Sequence, residues 1–168
     1  MSTPEHKKFV WNLIKKIKVG MLVTEDNDNR ESLRARPMHL IQDGYDGTLY
    51  FFTSKKAAKV YEVKDEKKEV CITFADSDDQ VYVSMSGKAS INSDRKMIEH
   101  YWNPMANAWF EGGKDDPNIV LLEVKIYKGE HWRTEDNKLV QFIEMAKSQL
   151  SEDTPDIGEN EKFESRSH

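Results

Sequence analysis

The sequence predicts a mainly β (α+β) fold: about six antiparallel strands rolled into a small closed or nearly closed barrel, flanked by helices at the start, middle and end. Three observations predict it. Residues 81–91 alternate cleanly, with Val81, Val83, Met85, Gly87, Ala89 and Ile91 facing one way and Tyr82, Ser84, Ser86, Lys88 and Ser90 the other. Such a period of two marks a strand buried on one side. Short β-rich runs recur along the chain, separated by turn chemistry at Glu25–Asn29, Asp43–Gly47 and Asp76–Asp79. Finally, a chain of 168 residues is long enough for one domain that buries about 70% of its unfolded surface.

Taken in order, residues 5–17 space Phe9, Val10, Leu13, Ile14 and Ile17 as an amphipathic helix does. Val19–Thr24 reads as the first strand and Ser32–Ile41 as the second. Pro37 has no N–H to give a ladder, so the second strand belongs at an edge or is irregular there. The Asp43–Gly47 turn leads into a third strand over 48–53, and the pair is a hairpin candidate. Residues 55–65 read as a helix with Ala57, Val60 and Tyr61 on one side. Glu69–Ala75, residues 81–91 and Asn118–Tyr127 supply the last three strands. Asp94 is the candidate N-cap of a helix that turns Met97, Ile98, Tyr101 and Trp102 inward. Asn103-Pro104 interrupts that helix and Gly112-Gly113 ends it. Asn137 is placed to cap a last helix carrying Leu139, Phe142, Ile143 and Ala146.

The expected organisation is one domain over residues 1–150 and an acidic tail over 151–168. The tail has six acids against Lys162 and Arg166 and too little apolar surface to fold. It accounts for most of the net charge of −5, leaving the rest of the chain nearly neutral. A nearly neutral domain lacks the basic surplus that nucleic-acid binding needs, so no nucleic-acid partner is expected. No run of 18 apolar residues is present, so no membrane span is expected. The first residues lack the apolar segment of a secretory signal. Cys71 is the single cysteine, which fits a reducing cytoplasm and rules out an intrachain disulfide.

The stretch Leu49–Lys59 carries the strongest functional signal. An aromatic strand (Leu49-Tyr50-Phe51-Phe52) runs into Thr53-Ser54, and that hydroxyl pair opens a helix bearing Lys55, Lys56 and Lys59. A helix start has unpaired N–H groups and partial positive charge, which disfavours lysines by roughly 0.3–1 kcal/mol each. A bound anion such as phosphate offsets that cost; the alternative places all three lysines in water. Arg36 could add a bidentate contact to the same anion, or stand exposed on an unrelated face. The run Trp102–Pro117 holds Trp109 and Phe110 directly before a Gly-Gly stop. These two rings either pack in the core or cover a flat ligand or a second subunit.

Other patterns carry less. Gly112-Gly113-Lys114 lacks the first glycine and the strand context of a P-loop. Asp115-Asp116 reads as turn chemistry before Pro117, and the five histidines have no metal-ligand spacing, so no metal is expected. No Gly-x-Ser-x-Gly elbow exists and Cys71 has no activating partner. No catalytic residue is assigned.

Together Arg36-Pro37-Met38, Leu49–Lys59, Tyr82–Gly87, Trp102–Pro117 and Glu130-His131-Trp132 resemble the pyridoxamine 5′-phosphate oxidase-like flavin-binding split barrels, in the general stress protein 26 branch. The resemblance covers residues 5–135. It implies a six-stranded antiparallel split β-barrel that forms a homodimer, with FMN in two grooves at the interface. Arg36, Pro37, Met38 and His39 would line the flavin, and Phe52, Thr53 and Ser54 would meet it along the next strand end. Lys59 would hold the phosphate. Trp109 would come from the partner subunit to cover the ring, with Trp132 near it. The resemblance does not extend to the oxidase's own substrate motifs. Ile41 ends the second strand where a basic residue is usual, Tyr82 stands where a glutamine is usual, and Arg133-Thr134-Glu135 follows Trp132 in place of an Arg-x-His step. The implied activity is FMN-dependent oxidoreduction of an unidentified small molecule. The alternatives are a non-enzymatic flavin-binding or flavin-sequestering stress protein, and a haem or deazaflavin binder on the same barrel.

Overall fold

A computed structural model describes residues 4–26, 32–58, 68–133 and 159–164. Helix α1 (Pro4–Ile14) opens the chain, followed by strands β1 (Val19–Glu25), β2 (Leu33–His39) and β3 (Thr48–Ser54) and the short helix α2 (Lys55–Ala58). Strands β4 (Lys68–Asp76) and β5 (Val81–Asn92), helix α3 (Arg95–Tyr101), two 3-10 turns (Pro104–Ala108 and Gly113–Asp115), β6 (Ile119–Arg133) and β7 (Glu159–Glu164) complete it. All pairings are antiparallel, in the order β2-β1-β4-β5-β6-β3, with β7 also on β6. The sheet curls into a half-barrel around Leu22, Leu49, Phe51, Ile72, Phe74, Val83, Met85, Leu122 and Val124, and Val10 and Ile14 of α1 seal one opening.

Alternation explains why this core forms. Val83, Met85, Gly87 and Ala89 of β5 are buried, while their odd-face neighbours are not. Gly87 sits at a register shift of the β5–β6 ladder. A Cβ there would meet the Lys125 carbonyl oxygen and Val124 at 2.8 Å, so only glycine lets β6 approach this closely. A second, smaller core lies on the other side of β3 and β6, where Ile98 of α3 packs on Ile119 and Leu121 with Ile41, Phe52, Met97, Trp102 and Phe110 around them.

Two expectations are corrected. The real hairpin is β1–β2, running from Val19 opposite His39 to Glu25 opposite Leu33. Strands β2 and β3 are instead the two ends of the sheet, because β3 spends its whole length on β6. They touch through one direct main-chain bond, Ile41 N–H to the Tyr50 carbonyl at 3.3 Å. Next to it the side chain of Gln42 substitutes for the missing ladder. It donates to the Gly44 and Thr48 carbonyls at 2.9 and 2.7 Å and accepts from Tyr50 N–H at 2.7 Å. The barrel is thus split between β2 and β3. Pro37 lies on this edge strand, as its missing N–H requires.

The second correction concerns the tail. Residues 159–164 form β7, although the segment holds little apolar surface. The reason is an open edge. Strand β3 covers β6 only as far as Lys125, and β7 pairs with the remaining stretch from Lys128 to Arg133. Ladder hydrogen bonds need no hydrophobic face, and Lys162 also reaches Glu130 at 4.0 Å. The last helix expected near residue 137 lies outside the described residues, as does the continuation of α2 beyond Ala58. No helix among the described residues is long and apolar enough to cross a membrane.

Candidate functional site

The split has two lips, and side-chain parity decides what faces it from inside. On β2, Arg36 pairs with Leu22 and Met38 with Gly20, both inward positions of β1. On β3, Leu49 and Phe51 point inward, so Thr53 follows them on the same face. Arg36 is half-buried, and its Nη2 donates to the buried Thr24 Oγ1 at 3.2 Å.

At the β3 end, Ser54 caps α2: its Oγ accepts from Ala57 N–H at 3.2 Å. The Lys55 N–H is also taken, by the Asn118 carbonyl at 2.8 Å. Two main-chain donors that the sequence left open for an anion are therefore used internally. The remaining positive and donor groups at the end of β3 are side chains: the O–H of Ser54, the hydroxyl of Thr53, and the exposed Lys55 and Lys56. Lys59 lies outside the described residues.

The outer side of β3 is aromatic. Phe52 packs against Trp102 at 5.5 Å and Phe110 at 6.4 Å, inside the second core. Trp109, next to Phe110, is 81% exposed. Arg95 holds the loop that follows it. Its guanidinium donates to the carbonyls of Lys114 (2.7 Å), Asp116 (3.2 Å) and Ile119 (3.4 Å). Asp94 caps α3 through Lys96 N–H at 2.9 Å, and Asn103 caps the first 3-10 turn through Ala106 N–H at 3.2 Å.

The comparisons with known proteins turn these positions into a family. The family described as pyridoxamine 5′-phosphate oxidase like matches residues 5–156. General stress protein 26 of Bacillus subtilis (strain 168) is 32% identical over 127 residues, covering 74% of this chain and 86% of that protein. The chain belongs to the pyridoxamine 5′-phosphate oxidase-like family. Among solved structures, the general stress FMN/FAD binding protein from the phytopathogen Xanthomonas citri superposes with a TM-score of 0.69 at 30% identity, covering 82% of this chain and 94% of that one. A Clostridium acetobutylicum protein related to general stress protein 26 shares the fold over 95% of this chain and 94% of its own, at 17% identity and a TM-score of 0.67. The split barrel of this pyridoxamine 5′-phosphate oxidase-like chain is thus a shared architecture.

Set on that barrel, the residues picked from the sequence fall into three groups. Arg36 and Met38 lie on the β2 lip of the split and Thr53 and Ser54 at the end of the β3 lip; Pro37 and His39 share the β2 lip but face outward. His39 Nδ1 lies 2.8 Å from the Leu40 carbonyl. Phe52 and Trp109 lie on the α3 side of β3. Trp132 stands apart, opposite Tyr82 near the far end of β6. Thr53 pairs with Val120, so Trp132 is about 40 Å further along the strand at roughly 3.3 Å per residue. One chain does not bring it to the split. Arg95 and Gln42 were missed by the sequence reading. Both act on main-chain carbonyls of other segments, and such contacts leave no spacing pattern to detect. Among the described residues no group of three His, Cys, Asp or Glu side chains is arranged to hold a metal.

Proposed function

We propose that this protein binds FMN at the β2/β3 split as a homodimer and acts as a flavin-dependent oxidoreductase on a small molecule. The observation that supports the reading is that β2, with Arg36 on its inward face, and β3, which ends in Thr53, Ser54 and the lysine-bearing turn, are the two lips of one split. A phosphate suits these groups: a guanidinium offers two parallel donors, two hydroxyls can donate, and Lys55 and Lys56 add positive potential. Lys59 is assigned to the phosphate from its place in the sequence. A compact phosphate site favours FMN over FAD. The Xanthomonas citri relative, an FMN/FAD binding protein at 30% identity, supports a flavin cofactor.

A bound flavin supplies hydride or electron transfer. The chain's part is to hold and orient it. Met38 and Thr53 line the inner lip faces, and Arg36 is held in place by Thr24. No described side chain at the split stands out as a proton donor or acceptor, so no catalytic residue is named.

Dimerisation answers the distance between Trp132 and Thr53: the tryptophan reaches the site from the partner subunit, as does the exposed Trp109. The surface that suits pairing is the outer face of β1 and β2. Val19 (44% exposed), Met21 (41%) and Leu33 (74%) are exposed apolar side chains on that face, the kind of patch that marks an interface.

The test is a charge reversal. Arg36→Glu with Lys59→Glu is expected to remove the yellow chromophore and leave a folded dimer. Full flavin occupancy in that double variant defeats the assignment. Bleaching of the wild-type spectrum by NAD(P)H under anaerobic conditions separates a reductase from a protein that only sequesters flavin.

A further inference from the structure

The loop Asp43–Gly47 and helix α3 enclose a recess of about 530 Å3, within the range of small-molecule sites. Tyr45, Tyr50, Tyr101 and Trp102 wall it, and Asp43 and Asp46 stand on its rim. No lysine or arginine is among its described lining residues, and neither Arg36, Thr53 nor Ser54 lines it. It is therefore separate from the proposed phosphate site.

Its walls are fixed in place. Tyr50 and Tyr101 stack at 5.0 Å with 23° between their planes, His100 meets Tyr101 edge-on at 4.9 Å, and Trp11 stacks on Tyr45 at 6.4 Å. Burial first, then the charge of Asp46, raises the phenol pKa of Tyr45 well above its ordinary value. The same two causes lead for Tyr50 and Tyr101, with Glu123 adding to both. The phenols stay neutral, and carboxylates lie near them. Asp46 Oδ1 accepts Thr48 N–H at 3.0 Å. Lys7, which is not among the described lining residues, donates to the Asp46 main-chain oxygen at 3.0 Å. Glu123 accepts from Asn92 Nδ2 at 2.9 Å.

Electron-rich ring faces attract a cation placed over them, and nearby carboxylates add to that attraction. An anion meets repulsion from the same groups. We propose that this recess is a second binding site, which takes a monocationic aromatic compound and rejects phosphorylated ones. The aromatic walls provide apolar contact, and the two aspartates select the charge.

Calorimetric titration of the full chain tests it, with benzyltrimethylammonium as the cationic probe and phenyl phosphate as the anionic one. The cation is expected to bind. Tyr101→Leu, and separately Asp43→Asn with Asp46→Asn, are each expected to weaken it about tenfold, the size of a desolvated cation–π contact. Asparagine keeps an acceptor for Thr48 N–H, and Tyr101→Phe is expected to retain binding, so loss of fold is separable from loss of the site. The proposal is overturned if the cation fails to bind, if it binds all variants as tightly as the wild type, or if phenyl phosphate binds and is weakened by Tyr101→Leu.

Discussion

Gln42 shows how one side chain decides where a barrel opens. Its amide serves both the Gly44 and Thr48 carbonyls and the Tyr50 N–H, so it finishes β3 where β2 no longer can. An amide offers donors and an acceptor on one planar group, which a hydroxyl or a carboxylate does not. Gln42→Ala leaves those main-chain groups without their partner. The expected cost is about 1–3 kcal/mol, read as a lower denaturation midpoint with an unchanged slope. Gln42→Glu is expected to destabilise as well, because an ionised carboxylate cannot donate to the two carbonyls.

Arg95 organises an element in the way that Gln42 organises a strand end. Three carbonyls of the 114–119 loop converge on its guanidinium, and Gly113 turns that loop at φ +66°, a conformation that glycine adopts without strain. Arg95→Met is expected to leave the sheet intact and to speed amide hydrogen exchange over residues 112–118. Unchanged protection there refutes the clamp. Elements were mostly legible in the sequence where their cause is local. The Asp94 cap, the alternation of β5 and the edge placement of Pro37 all depend on neighbours within a few residues. The hairpin at β2–β3 misled because chain proximity was taken for pairing, whereas the longer ladder with β6 wins. β7 was missed because a burial argument ignores a vacant strand edge. The proposed phosphate site was legible in its residue types, but not in its donors. Ser54 and Asn118 had already taken two N–H groups, a fact that only the packed backbone reveals.

At the scale of the molecule, the positions named from sequence do not meet in one chain. Trp132 belongs to the far end of β6, whereas Arg36 and Thr53 lie on the two lips of the split. The homodimer proposed above, joined through the outer face of β1–β2, would resolve this, and the exposed apolar side chains there set the prediction. Met21→Asp with Leu33→Asp places two charges on exposed positions, so the barrel is expected to stay folded. Light scattering is expected to report a monomer, and the bound chromophore is expected to be lost with it. A dimer that persists in this variant rules out the β1–β2 face.

The sheet order carries a consequence for how the chain is made. As it leaves the ribosome, β1 finds β2 at once and β4 finds β5, but β3 waits for a partner that begins only at Ile119. Until then Leu49-Tyr50-Phe51-Phe52 travels as a naked, sticky ribbon, the kind of segment that seeds clumping between nascent molecules. Its lysine-rich continuation, Lys55-Lys56, then acts as a charged guard while the rest of the protein is still being synthesised.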